Sequence, residues 1–211
     1  MATQSAPVCR LCRREGAKLY LKGAKCMTNC TFDRRNALLP GQHGHGLARR
    51  HKVSDYGVQL RAKQRARRIF GVLETQFRRY VDRAERSPGM TGTVLLQNLE
   101  QRLDNIVYRL GLASSRKEAR QLISHRHFNV NGRVLNIASA QLRPGDVVEV
   151  RQGSRNVPPI KNAQELLEGR PLPEWLSLDA AALRGTMVRL PERNEMEHII
   201  DDQLIVEYYS R

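Results

Sequence analysis

The sequence lacks most of what would point to an enzyme, a membrane protein or a secreted one. No apolar run approaches the roughly 18 residues that a membrane helix needs. Met1 to Arg10 holds no apolar run before Cys9, so no secretory signal is expected. Aromatic residues make up 5% of the chain, with one tryptophan, which argues against a platform for stacking single-stranded bases. No Ser/His/Asp set, paired-carboxylate pocket or phosphate-binding glycine loop is visible, so neither catalysis nor a small-molecule substrate is expected. Acidic residues are scarce in the first half. Residues 1–98 carry 20 Lys and Arg against 6 Asp and Glu, a net of +14. Residues 99–211 carry 16 against 15, a net of +1.

Arginine is what the chain has in excess, 29 against 7 lysines. A guanidinium matches a phosphate with two donors and stacks on bases, which an ammonium does not do. The net charge of +15 exceeds the magnitude of about 2–8 that solubility alone calls for. The balance therefore implies a polyanionic partner, and nucleic acid rather than a membrane. At 211 residues and 40% hydrophobic content the chain can bury one large core or two small ones.

Cys9, Cys12, Cys26 and Cys30 are the only cysteines, spaced as C-x2-C and C-x3-C across a short loop. Two such pairs can place four thiolates at the corners of a tetrahedron, as in a structural zinc site. Nearby Arg10, Arg13, Arg14, Lys18, Lys22 and Lys25 would offset the charge of four thiolates around zinc. Residues 1–35 hold few large apolar side chains, so a metal would stand in for a core. An iron–sulfur cluster suits four cysteines too. Disulfides are disfavoured without an export signal, and a redox C-x-x-C would not need the second pair.

Leu39-Pro40-Gly41-Gln42-His43-Gly44-His45-Gly46 reads as a loop that can approach a backbone closely, followed by Arg49, Arg50, His51 and Lys52. His43, His45 and His51 fit a basic loop touching phosphates better than metal ligation, because four cysteines complete a zinc shell. Ser54 and Asp55 open a helical stretch that runs to Ser87-Pro88-Gly89. Its apolar stripe is Ala62, Ala66, Ile69 and Leu73, with Phe70 and Phe77 beside it. Arg61, Arg65 and Arg68 form a second stripe. Like charges so spaced repel, which suggests an anionic partner lying along that face. Arg78, Arg79, Arg83 and Arg86 form a further basic group.

Thr91 can cap the next helix, whose apolar face runs from Leu95 to Leu110 and stops at Gly111. Ser115-Arg116-Lys117-Glu118 reads as a capping box. Arg116 and Lys117 then sit where the helix dipole disfavours cations, so a phosphate at that end would make sense of them. Phe128 to Leu135 is a hairpin with Asn131-Gly132 at its turn. Pro144-Gly145-Asp146 turns into a strand at Val147–Val150. Asn162–Leu167 reads as a short helix, Tyr208 and Tyr209 as part of a final strand, and Trp175 as core. The acidic segment Glu192, Glu195, Glu197, Asp201 and Asp202 reads as solvated.

Leu99 to Asn105, Ser114 to Leu122, Val130-Asn131-Gly132 and Pro144-Gly145-Asp146 together resemble the small RNA-binding module named for bacterial small-subunit ribosomal protein four. That module also occurs in pseudouridine synthases, tyrosyl-tRNA synthetases and a heat-shock ribosome factor. The flanks are more specific. Pro40 to Gly44, Ser54 to Arg61, Gln76 to Tyr80 and Leu204 to Arg211 resemble the cysteine-bearing kind of that ribosomal family, and the likeness covers nearly the whole chain.

The resemblance implies an α+β fold: a helical domain with an N-terminal metal-stabilised knob, plus an inserted small module of a helix pair and β-hairpins. The expected layout is a cysteine-rich knob and basic loop at 1–40, a helical RNA-binding domain at 41–98, the module at 99–170, and a segment at 171–211 packing on the helical domain. It also implies direct binding of small-subunit ribosomal RNA at a 5′-domain junction, nucleation of the subunit body, a contact with protein five linked to decoding accuracy, and proximity to proteins three and five at the messenger entry. Some members also bind their own messenger RNA. Carried onto this chain, Arg109, Ser115, Arg116, Lys117, Arg120, His125 and Arg133 fall on the module's RNA face, with Arg116 and Arg120 foremost. Arg49, Arg50, Lys52, Arg61, Arg65 and Arg68 match basic stretches of the other domain. Arg10, Arg13, Arg14, Lys22, Arg34, Arg35 and His43 complete the candidate contacts near the cysteines. Replacing Cys9 and Cys12 by Ser is expected to expose mainly residues 1–40 to limited proteolysis; a digestion pattern matching the unmodified chain would refute the metal reading.

Overall fold

Helix caps and glycines cut the N-terminal half into short rods. The structure, a computed structural model, describes residues 7–44, 53–166 and 171–210. Arg49, Arg50 and Lys52, with His45 and His51, lie outside the described residues. Helix α1 (Val8–Glu15) ends at Gly16, which takes the left-handed conformation that closes a helix without Cβ strain. Helices α2 (Ala24–Thr28) and α3 (Thr31–Arg34) follow. In α4 (Asp55–Phe70) the Ser54 hydroxyl accepts the N–H of Gly57 at 3.2 Å, as its position before the apolar stripe predicts. Ala62, Ala66 and Ile69 are buried. The helix stops at Gly71 (φ 63°), and Leu73 becomes the residue that starts α5 (Glu74–Glu85). The single long helix of the sequence reading is thus two. Helix α6 (Thr91–Glu100) comes next.

A second interruption has a different cause. The apolar face from Leu95 to Leu110 is broken before α7 (Leu103–Arg109), because Arg102 leaves the helix with extended backbone. Its fully buried guanidinium meets Asp104 at 3.0 and 2.7 Å. The Leu103 N–H turns to the carbonyl of Ala140 at 2.8 Å. Helix α8 (Arg116–Ser124) is capped by Ser115, whose hydroxyl accepts the Glu118 N–H at 3.2 Å. The Glu118 carboxylate reaches back to the N–H of Ser114 at 2.6 Å, one residue earlier than a capping box would have it.

Strands β1 (Phe128–Val130) and β2 (Arg133–Val134) form the expected hairpin, with Asn131 and Gly132 both at positive φ. Strand β3 (Val147–Val150) pairs antiparallel with β1. Helix α9 (Pro158–Glu165) and strands β4 (Leu176–Asp179) and β5 (Arg184–Met187) complete one antiparallel sheet in the order β2-β1-β3-β5-β4. Gly185 of β5 lies against the Leu110 side chain so closely that a Cβ there would overlap it. Trp175, Phe128, Leu103, Ile106 and Leu110 are wholly buried in one core.

The chain therefore divides into residues 1–95 with 199–211, and residues 96–198. The boundary differs from the expected one. Strands β4 and β5 bond into the module's own sheet, so 171–198 belongs to it, and only the last residues join the helical unit. Those form α10 (Asp202–Tyr209), a helix where a strand was expected. The run Leu204-Ile205-Val206 has a strand's composition, but Asp201 caps it, accepting the Leu204 N–H at 3.2 Å. Helix α10 lies along α4, with Gln59 donating to Glu207 at 3.0 Å and the Tyr209 hydroxyl to Glu74 at 2.9 Å. Tertiary burial overrode β propensity there. Leu103→Ala is expected to lower stability by about 2–5 kcal/mol, the usual loss for a fully buried leucine. Urea unfolding followed by the fluorescence of the single tryptophan checks it.

Candidate nucleic-acid interface

The arginine stripe of α4 has its anion within the protein. Glu15, whose side chain is wholly buried at the end of α1, accepts from Arg61 at 3.1 Å and from Arg68 at a shorter contact. Arg65 donates to the carbonyls of Ile199 at 3.1 Å and Glu15 at 3.4 Å. Burial holds Arg68 below the usual arginine range, with Glu15 acting against it and Arg61 and Arg14 adding to it. The repulsion read from the sequence is answered within the protein by Glu15. Arg67 and Lys63 are likewise spent, on Glu74 at 2.7 and 2.9 Å.

The module repeats this arrangement. Glu100, buried, accepts from Arg109 at 2.7 and 3.2 Å. Glu197 accepts from Arg116 at 2.6 Å and from Arg109 at 3.3 Å. Asn105 links the two, donating to the Glu100 carbonyl at 2.9 Å and accepting from Arg116 at 2.8 Å. The Arg116 guanidinium also lies 4.4 Å from the centre of the Tyr108 ring. Burial alone would lower the Arg109 pKa, and Glu100 more than reverses it. Burial alone would raise that of Glu197, and Arg116 and Arg109 push it below the usual carboxylate range.

Two expectations change. Arg116, placed foremost on the RNA face, is an internal tie whose side chain is only 10% exposed. The acidic segment is not simply solvated. Its Glu197 serves the arginine network, and its Glu195 pairs with Arg189 at 2.7 Å. Ser115 is a buried cap, and Arg13 is pinned to the carbonyls of Leu38 and Leu39 at 2.7 and 2.9 Å. Arg120 is half-buried in α8.

The exposed candidates are Arg10, Arg14, Lys22, Arg34, Arg35 and His43 in the helical unit, and Lys117, His125 and Arg133 in the module. The outer face of α5 adds Arg78, Arg79, Arg83 and Arg86, set opposite buried Phe77, Tyr80, Val81 and Ala84. The sequence reading missed Arg126, Arg143, Arg151 and Arg155, all exposed in the module. Their adjacency to turns was the available signal. Arg151 bonds the Arg126 carbonyl at 3.1 Å, close to the stacked rings of His125 and His127, whose centres are 6.2 Å apart. Burial, then His125 and Arg151, lowers the His127 pKa.

Cys12, Cys26 and Cys30 are buried, Cys9 is half-buried, and none is in a disulfide. Among the described residues, no group of three or more His, Cys, Asp or Glu is arranged to hold a metal ion. The knob is thus present as three short helices, and metal stabilisation is not a feature the structure displays. Four thiols are the donor type that a soft divalent metal takes. Burial raises the Cys12 and Cys26 thiols, and the other cysteines raise them further, so all four sulfurs lie within electrostatic reach. The Lys22 N–H donates to the Cys26 sulfur at 3.3 Å and the backbone at Leu19 bonds that of Cys12, contacts that favour a thiolate.

Because the Glu197 pKa is lower folded than unfolded, its stabilisation is present above the unfolded value of about 4.3 and is lost as pH falls through the folded one. Glu197→Gln is expected to flatten the acid limb of a stability–pH curve below about pH 4, with the loss at neutral pH retained. An unchanged limb in acid unfolding would contradict the network.

Two family models match the chain and meet near residue 100. Residues 4–100 match the model for the ribosomal protein S4/S9 N-terminal domain, and residues 101–148 match the S4 domain. The small ribosomal subunit protein uS4 of Natranaerobius thermophilus is 54% identical over the full length of both chains. That of Pelotomaculum thermopropionicum is 55% identical and the uS4A of Symbiobacterium thermophilum 56%, again over the full length of both. The chain belongs to the small ribosomal subunit protein uS4 family.

Proposed function

We propose that the chain is a structural constituent of the small ribosomal subunit that binds the 5′-domain junction of its RNA directly and nucleates assembly of the subunit body. It is a ribosomal protein and not an enzyme. The observation that carries the RNA reading is the sorting of its arginines. Carboxylates of the chain itself neutralise Arg61, Arg68, Arg109 and Arg116. Arg78, Arg79 and Arg86 on α5, and Lys117 and Arg133 in the module, are exposed and ion-pair with no described residue. Cations left outward in this way suit the phosphates of a folded RNA, which is read chiefly by shape and backbone.

The family resemblance supports the finer roles: proximity to proteins five and three, a contribution to decoding accuracy, and repression of its own messenger RNA. Cys9, Cys12, Cys26 and Cys30 would hold zinc, an iron–sulfur cluster being the alternative for four thiolates. The metal, when bound, supplies a covalent cross-link among three helices too short to build a core.

Sedimentation of a lysate at high salt tests the proposal. Generic phosphate attraction falls steeply with ionic strength. A constituent stays with the small subunit. A chain running free at the top of the gradient would instead be a transient RNA-binding factor.

A further inference from the structure

Pro7, Arg10, Leu11 and Arg14 share one face of α1, at the i, i+3, i+4, i+7 spacing that brings side chains into line. With Pro40 and Arg68 they line a cavity of about 340 Å³. That is at the small end of ligand pockets, which run from about 300 to 1,000 Å³. Three of the six lining residues are arginines and none is acidic. Arg10 and Arg14 are exposed, and neither forms an ion pair with a described residue. Arg68 has its Nη1 occupied by Glu15 and the carbonyl of Leu11, while its Nε is buried with no hydrogen-bond partner. Arg14 adds to the electrostatic pressure on Arg68. An anion in this cavity would relieve that repulsion.

We propose that this cavity is a dedicated phosphate seat that takes one phosphodiester of the RNA backbone. The inference rests on the RNA-binding reading above and narrows it to one place. A seat of this kind positions the RNA and reads no base. Position is what α1 can supply. Arg13 anchors it to Leu38 and Leu39, and Glu15 at its end meets Arg61 and Arg68. The seat therefore sits on an element held at several points. The chemistry, a tetrahedral dianion or monoanion met by guanidinium donors, is shared by free phosphate and by RNA, so the test separates them.

The full-length protein and its R10Q/R14Q double variant are titrated with a transcript of the small-subunit 5′ domain at several salt concentrations. Both substitutions are on exposed side chains, so an unchanged melting temperature and metal content serve as folding controls. Loss of one phosphate contact is expected to reduce the slope of log affinity against log salt by about 1, and affinity by roughly tenfold. R68K provides a second variant that keeps the charge facing Glu15 but removes the fork, and it should weaken binding in the same direction. In a parallel arm, inorganic phosphate is titrated while the amide signals of Arg10, Leu11 and Arg14 are followed. Wild-type binding with an unaltered slope in the double variant overturns the seat and leaves the RNA reading standing. Failure of the wild-type protein to bind the transcript overturns the RNA reading. Saturable, local shifts with inorganic phosphate would then make the cavity a free-anion site, which overturns the phosphodiester assignment.

Discussion

A buried carboxylate met by guanidinium groups is the constraint on which each unit depends. Glu15 is buried in the helical unit against Arg61 and Arg68, and Glu100 is buried in the module against Arg109. Removing one member of such a set leaves an uncompensated charge out of water, at a cost of about 3–5 kcal/mol. Each set is therefore weak as a source of net stability and strong as a selector of geometry. Glu15 fixes α1 against α4, so the cysteine knob has one orientation. Glu197 and Asn105 do the same for α7, α8 and the segment after the sheet.

This pairing also explains how a chain with 36 cations folds without tearing itself apart. Acidic residues are few in the first half, and the structure places one of them where it serves two arginines and a second, Glu74, where it serves Lys63 and Arg67. The remaining cations face outward on helices whose inner faces are apolar. Alternation along α5 makes the point: Phe77, Tyr80, Val81 and Ala84 are buried, while Arg78, Arg79, Arg83 and Arg86 are exposed. Guanidinium groups already turned outward by their helices need less ordering to meet RNA, which is how preorganisation raises affinity.

Much of the architecture was legible in the chain because it rests on local chemistry. Ser54 and Ser115 cap the helices they precede, Asn131-Gly132 makes the tight hairpin, and the face of Ala62, Ala66 and Ile69 is buried. Features that depend on distant partners were not legible. The break at Arg102 exists because Asp104 and the carbonyl of Ala140 await its neighbourhood. The last helix forms because α4 receives it. The module extends past residue 171 because β5 bonds to β3. Among the candidate contacts, exposed and internal arginines look alike in sequence, so Arg116 and Lys117, adjacent at the start of α8, met opposite fates.

By itself, then, the sequence determined the charge, the cysteine spacing, the turn chemistry, the helix starts and the family, because each is carried by residue identity or by neighbours within a few positions. The tertiary structure alone decided which cations are spent inside and which remain for a partner. That sorting depends on where carboxylates from remote parts of the chain come to rest: Glu15 against residues 46 and 53 positions away, Glu197 against one 81 positions away. Coulomb attraction acts through space, and no local pattern records which charge will lie opposite which.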